Sequence, residues 1–254
     1  MSIIVTPDYE IQYPIHVSRG NVSGAESFYG YGRKTTSGAD SGVLWPNGAF
    51  VFPSSAGVQI SVVSTSANDT AAGTGIRTLE IHYLDANLAE QIETVTMNGL
   101  VPVLTVATNI RFIQCMHMAT FGTLLAAAGN ISASNGGNTH SYIATGDVRC
   151  TSSVRMVPAG KRLIVKELFG GSVSGAAAAV TILNAAGSSF DGHDFTSSNV
   201  FIPIASAAFQ DNSAGLDVAA PLIFTEGQSF GFTFTTDKVA TIVGQWFGWL
   251  ENAT

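Results

Sequence analysis

The chain has 254 residues, of which 11% are charged and 46% are hydrophobic, and its net charge is −7. This acidic balance argues against nucleic acid as a partner, because phosphates require a basic face. No apolar run approaches the ~18 residues that a membrane span needs. The N-terminal sequence has no basic segment followed by an apolar core, so no signal peptide is expected. A chain this poor in charge is expected to bury apolar surface against other protein, as a subunit of an assembly.

Short β-branched or aromatic segments bounded by Gly, Pro, Asn or Ser recur about every ten residues, which predicts strands. Residues 78–84 alternate in polarity, so Leu79 and Ile81 are expected on one face of a strand and Glu80 and His82 on the other. Further strands are predicted at residues 58–63, 93–97, 163–168, 180–183, 200–204, 229–235 and 239–250. A helical turn or two is expected at residues 85–92. The predicted fold class is therefore all-β.

A weak internal repeat predicts how the strands are divided. Residues 45–51 resemble residues 157–163, since a Pro-x-Gly turn precedes an apolar strand in both. The two copies are separated by roughly the ~100 residues that one sandwich needs. Two tandem jelly-roll-like β-sandwich domains are therefore expected, at residues 43–138 and 139–254, joined in the polar stretch 132–146. One continuous large sandwich is the alternative.

Residues 1–42 lack strand periodicity and contain several aromatic side chains, so they are predicted to form an extended N-terminal arm. Such an arm is expected to dock on another subunit or on a capsid lattice. At the other end of the chain, Trp246 and Phe247 are expected on opposite faces of one strand, with Trp249 on the face of Phe247. The predicted interface residues are Tyr9, Tyr13, Phe28, Tyr29, Tyr31 and Trp249.

Five histidines are the first candidates for metal ligands. His82 and Glu80 share a strand face, but no third ligand is evident near them, so the pair is interpreted as a surface pair. The cluster at residues 191–194 lies in a Gly/Ser-rich loop, where Asp is a common turn residue. His117 lies in an apolar run and is interpreted as a core or interface residue, and His16 and His140 have no evident partners. The prediction is that the protein requires no metal.

No enzyme signature survives comparison with the expected spacings. Residues 170–175 do not fit the nucleophile elbow G-x-S-x-G, and Arg162 stands where a phosphate loop requires Ser or Thr. Cys115 and Cys150 are too few for a disulfide scaffold, and neither belongs to a C-x-x-C pair, so zinc binding by cysteine is not expected. A non-enzymatic protein without a cofactor is predicted.

Residues 77–103 resemble a pattern in structural proteins of tailed bacteriophages, particularly those of aquatic environments. The matching positions are Tyr83-Leu84-Asp85, Glu93-Thr94-Val95-Thr96, Asn98-Gly99 and Pro102-Val103. The resemblance implies a virion protein, which would be assembled in the host cytoplasm. Within the virion, the expected role is a capsid decoration (cement) protein that bridges major capsid subunits as a homotrimer. A tail, neck or fibre component that binds host glycans is the alternative, and a secreted carbohydrate-binding module is a third possibility.

Overall fold

The computed structural model describes the backbone of residues 7–174, 179–188, 201–210 and 212–253, and the side chains of 13–174, 179–187, 205–210, 212–215 and 221–253. The helix is α1 (Pro7–Ser18). The strands are β1 (Ala25–Thr35), β2 (Asp40–Val43), β3 (Ser61–Ser64), β4 (Ile76–Asp85), β5 (Glu90–Thr96), β6 (Val103–Leu104), β7 (Ile110–Phe121), β8 (Ile131–Asn135), β9 (Asn138–Ile143), β10 (Arg155–Met156), β11 (Lys161–Ser174), β12 (Thr181–Ser188), β13 (Phe201–Phe209), β14 (Ser213–Thr225), β15 (Ser229–Thr236) and β16 (Ala240–Asn252). The all-β prediction is confirmed, and the strand pairs are antiparallel.

Strands from both ends of the chain form one sandwich, which we call the jelly-roll unit (residues 25–43 and 155–252). Sheet A has the strand order β1-β16-β11-β14, and sheet B has β15-β12-β13 with β2 and β10 paired to β15. The pairing is nested: β1 pairs with β16, β2 with β15, β11 with β14, and β12 with β13. Nested pairing of this kind is the strand order of an eight-stranded jelly roll. Its core contains Phe230, Phe232, Ile242 and Trp246, all at most 2% exposed.

The remaining strands form a second unit, which we call the insertion (residues 45–154). The chain leaves the jelly-roll unit after β2 and returns as β10, and both strands pair with β15. Within the insertion, two sheets with the orders β6-β3-β8-β9 and β5-β4-β7 enclose a separate core. Its fully buried members include Ile60, Ile81, Met116 and Ile131. The two units are therefore nested in the chain rather than arranged in tandem.

The predicted boundary between residues 138 and 139 is wrong. It falls inside the hairpin formed by β8 and β9, which pair from Ile131 with Ile143 to Asn135 with Asn138. Gly136 and Gly137 make the turn, with φ angles of 56° and 86° that favour glycine. The polar composition of residues 132–146 marks a hairpin turn, not a linker. The two segments of the weak internal repeat also differ in structure. Residues 45–51 contain no strand, whereas the Pro-x-Gly turn at residues 158–160 precedes β11.

The prediction of an extended N-terminal arm is wrong. Residues 7–18 form α1, which packs against sheet A of its own chain, where the Tyr13 hydroxyl donates a hydrogen bond to Glu251 at 3.2 Å. Residues 25–43 are strands of the same sandwich. β1 pairs with β16 along its whole length, and β2 adds to sheet B, so this segment completes the sandwich of its own chain. Its strand pattern is hidden because Gly30 and Gly32 occupy the inward positions. A Cβ at Gly30 would overlap the Ser153 carbonyl and the Trp246 indole, so only glycine allows this close approach.

Residues 85–92 do not form a helix: residues 86–89 make a hairpin turn, and residues 90–92 already belong to β5. The Asp85 carboxylate accepts hydrogen bonds from the backbone N–H groups of Asn87 (2.8 Å) and Ala89 (3.0 Å), and β4 then pairs with β5. An aspartate that bonds nearby backbone groups favours a turn over a helix.

Among the described residues, no helix is long and apolar enough to cross a membrane.

A third cluster of buried side chains lies where the two units meet. Trp45, Phe50 and Phe52 follow β2 and pack with Phe112 of β7, whose ring centroid lies 5.4 Å from that of Phe52. Met156 of β10, in the jelly-roll unit, belongs to the same cluster. Ser153, fully buried, accepts a hydrogen bond from the Trp246 indole through its carbonyl at 2.8 Å. The units are thus joined by apolar packing as well as by two chain crossings.

Cys115 of β7 and Cys150 form a disulfide, with their Cα atoms 5.6 Å apart. Residue 150 belongs to the segment that returns to the jelly-roll unit, and its backbone N–H donates to the Met116 carbonyl at 2.8 Å. The bond therefore ties the return segment to the edge of β7. The two cysteines were too few for a disulfide scaffold but are sufficient for one cross-link.

We expect the double substitution Cys115→Ala and Cys150→Ala to lower the free energy of unfolding by about 3–4 kcal/mol, because opening a loop of this length restores entropy to the unfolded chain. Chemical denaturation followed by circular dichroism measures the loss, and reduction of the unsubstituted protein should reproduce it. A loss below ~1 kcal/mol would contradict a stabilising role for the bond.

Candidate functional site

The outer face of sheet A carries a group of aromatic rings. Side chains of β16 alternate, so Trp246 is fully buried while Phe247 points outward and is 38% exposed. Tyr29 of β1 pairs with Phe247 in register, and Phe169 of β11 lies on the opposite side of the same strand. We call this set the aromatic face: Tyr13, Tyr29, Tyr31, Phe169, Phe247 and Trp249.

Five of the six rings of the aromatic face contact a neighbouring ring. Ring centroids are 6.3 Å apart for Tyr29 and Phe247 and 5.9 Å apart for Phe169 and Phe247. α1 lies against one end of the face, where Tyr13 meets Trp249 edge-on at 5.4 Å. The predicted two-faced pattern of residues 246–249 is confirmed, and β16 is central in its sheet.

Most of the predicted interface residues therefore converge on one surface, with one correction. Phe28 is adjacent to Tyr29 on β1 and so faces inward, where it packs against Trp246 at a centroid distance of 5.9 Å. Its role is in the core and not at an interface. Tyr31 is partly exposed on the outer face. Tyr9 lies in α1, but its side chain is outside the described residues.

Tyr29 also contacts the insertion. The Arg149 guanidinium lies 5.3 Å from the centre of the Tyr29 ring and donates a hydrogen bond to its hydroxyl at 2.8 Å. Cation–π contact and the hydrogen bond together hold this ring at the border between the two units. The aromatic face thus ends at a cleft between them.

A second group of functional side chains lies on the insertion, and sequence reasoning missed one of its members. Glu80 and His82 are two residues apart on β4 and share a face. In the register of the sheet, Glu80 is directly opposite His117 of β7. Pairing with β7 therefore supplies the third side chain that the local sequence lacks. We call Glu80, His82 and His117 the His–Glu cluster.

The cluster is compact and reachable from solvent. Glu80 Oε1 lies 2.7 Å from His82 Nε2 and 3.3 Å from His117 Nε2, and the two imidazole centroids are 4.9 Å apart. The three side chains are 32–40% exposed. Burial is the main cause that lowers the pKa of His117, and the nearby His82 lowers it further against the opposing effect of Glu80. A neutral imidazole has a free ring lone pair.

His82 and His117 line a cleft of about 530 Å³ between the jelly-roll unit and the insertion. Tyr29 and Arg149 form part of the same wall, and Arg155 lies behind it. Arg155 is buried and donates from Nη1 to the carbonyls of Ser152 (3.0 Å) and Val154 (2.7 Å). Burial lowers the pKa of this guanidinium to about 10, so Arg155 still carries its charge at neutral pH.

Two other histidines, His16 and His140, lie in the described part of the chain and do not join this group. His140 is buried, and its Nδ1 donates to the Val51 carbonyl at 2.8 Å, so it has a structural role. Burial lowers the pKa of His140, against the smaller opposing effect of the hydrogen bond to Val51. His16 lies in the last turn of α1. The predicted polar loop at residues 191–194, with His193 and Asp194, lies outside the described residues.

No protein-family model and no curated protein matches this chain. Solved structures with weak similarity are particles of infectious bursal disease virus. The Gt strain structure is 8% identical over 90% of this chain and 76% of the other, with a TM-score of 0.11. The virus-derived T=1 particle is 12% identical over 91% and 78%, with a TM-score of 0.12. These scores are too low to indicate a shared fold, so the fold assignment rests on the strand pairing alone.

Proposed function

We propose that the protein is a non-enzymatic structural subunit of a bacteriophage virion and that the aromatic face is its main contact surface. The observation that carries this proposal is an exposed group of aromatic rings on one sheet face of a protein with only 11% charged residues. Protein–protein interfaces are enriched in aromatic side chains and depleted of charge at their centres.

Aliphatic side chains extend the apolar surface beyond the rings. Val173 of β11 and Ile223 of β14 are 69% and 58% exposed on sheet A. A surface of this composition is stabilised when a partner excludes water from it. We therefore propose that a second copy of this chain covers the face, in a homotrimer that binds the major capsid protein as a decoration protein. The resemblance of residues 77–103 to phage structural proteins supports the virion as its location.

The contact surface can be tested by replacing Phe169 and Phe247 together with Ser. We expect the unsubstituted protein to be an oligomer in light scattering, both in dilute buffer and in ~1 M salt, because little of the association is Coulombic. The double variant should dissociate to monomers. Val106→Ser is the matched control, since Val106 is 89% exposed on the insertion, away from the aromatic face. A monodisperse monomer of the unsubstituted protein in salt would overturn the proposal.

A tail, neck or fibre component that binds host glycans is a second candidate, because exposed rings also stack on sugars. The double variant with Ser at positions 169 and 247 distinguishes the glycan-binding function from the subunit-contact function. Loss of glycan binding without a change of oligomeric state supports the glycan function, whereas dissociation supports the contact surface. The copy number in purified particles, measured by mass spectrometry, then decides the position. A number comparable with that of the major capsid protein indicates the head surface, and a number set by a single ring or fibre indicates neck or tail.

A further inference from the structure

The His–Glu cluster has the ligand set of a transition-metal site. Two imidazole nitrogens and one carboxylate oxygen are the protein ligands of many Zn²⁺ sites that keep a fourth position open. The three ligand atoms all lie within 4.8 Å of one another. His82 and His117 direct their Nε2 atoms to the same carboxylate oxygen, so the three side chains already converge on one point.

The spacing matches the size of such an ion. With metal–ligand bonds of ~2.0–2.1 Å, the ligand atoms of a tetrahedral site are about 3.3 Å apart. The distances from Glu80 Oε1 are 2.7 Å to His82 Nε2 and 3.3 Å to His117 Nε2. The distance to His117 therefore already has the length expected of such a site, and the distance to His82 is shorter.

The backbone around the cluster is held firmly. β4 is the central strand of its sheet, and the disulfide at Cys115 fixes β7 two residues before His117. Ligands on paired strands are placed more accurately than ligands on loops. Arg149 pairs with His117 through a single β-bridge, and its guanidinium lies over the Tyr29 ring and donates a hydrogen bond to the Tyr29 hydroxyl.

We propose that Glu80, His82 and His117 bind one divalent transition-metal ion of the Zn²⁺ class, with one coordination position open to the cleft between the two units. The ion would link β4 to β7 at the border of the aromatic face. Binding requires the ionised carboxylate and both imidazoles in their neutral form, so it releases any proton they carry. The proposal corrects the expectation that His82 and Glu80 lack a third ligand, and it does not depend on the virion function.

The test uses the full-length protein, treated with a chelator, dialysed and titrated with CoCl₂. We expect a saturable visible absorption of four- or five-coordinate Co²⁺, one ion per chain, displaced by Zn²⁺. His82→Gln, His117→Gln and Glu80→Gln should each weaken Co²⁺ binding at least tenfold. His16→Gln is the matched control and should bind normally. Zn²⁺ should also raise the midpoint of thermal unfolding in the unsubstituted protein but not in the three variants.

Circular dichroism without metal establishes that each variant is folded, which is expected because all three side chains are partly exposed. The proposal is overturned if no saturable absorption develops. It is equally overturned if folded His82→Gln and His117→Gln proteins bind Co²⁺ as tightly as the unsubstituted protein.

Discussion

Replacing Asp69 with Ala is expected to unfold most of the insertion. The carboxylate is fully buried and accepts hydrogen bonds from Ser64 Oγ (2.6 Å) and from the backbone N–H groups of Ile76 (2.8 Å), Ala128 (2.9 Å) and Gly129 (2.9 Å). It thus fastens the ends of β3 and β4 to the segment before β8. Alanine leaves several buried donors without a partner, at about 1–3 kcal/mol each.

The expected loss for Asp69→Ala is roughly 3–6 kcal/mol of the free energy of unfolding, measured by denaturant titration with circular dichroism. For Asp69→Asn we expect a smaller loss of the free energy of unfolding than for Asp69→Ala. One side-chain oxygen still accepts hydrogen bonds, but the amide NH₂ group faces a backbone N–H, which is also a donor. Asp40→Ala is the control. Asp40 is exposed, and its carboxylate accepts a hydrogen bond from the neighbouring Ser41, so the loss for Asp40→Ala should stay within ~0.5 kcal/mol. A comparable loss of unfolding free energy in Asp69→Ala and Asp40→Ala would contradict the role assigned to Asp69.

Deleting residues 2–36 is expected to abolish folding of the jelly-roll unit. The deletion removes β1, which pairs with β16 along its whole length and places Phe28 against the Trp246 ring. Each backbone hydrogen bond contributes a net of about 0.5–1.5 kcal/mol, so the strand contributes as much as the ~5–15 kcal/mol that stabilises an ordinary domain. The exposed edge of β16 would also promote aggregation.

Deleting only residues 2–23 is the matched control for this truncation. It removes α1 and the contact of Tyr13 with Trp249 but leaves β1 in place. We expect this protein to remain soluble and folded, with a midpoint of thermal unfolding lower by a few degrees. Size-exclusion chromatography and calorimetry compare the two. If the longer deletion also yields a soluble, cooperatively unfolding protein, residues 25–43 form an arm after all.

Local sequence patterns determined the strands that alternate clearly. Leu79, Ile81 and Tyr83 are buried on one face of β4, and Glu80 and His82 lie on the other, as period-two alternation predicts. Asn98-Gly99 makes the predicted turn after β5, with Gly99 at a φ of 61°. Trp246 and Phe247 face opposite sides of β16. Each of these features depends only on neighbours in the chain.

The tertiary structure alone decided which strands pair and which side chains meet. The sequence pattern of β1 does not alternate in polarity, because glycines occupy its inward positions. Glycine is needed at Gly30 because the Ser153 carbonyl and the Trp246 ring approach the backbone closely there. Nesting of the insertion between β2 and β10 depends on the pairing of both strands with β15, 190 residues away for Val43 with Thr233 and 75 for Arg155 with Phe230. No local pattern encodes such pairing. The His–Glu cluster has the same origin, since His117 meets Glu80 only through the register of β4 with β7. Local chemistry fixes which face a side chain takes, and long-range pairing decides what it meets there.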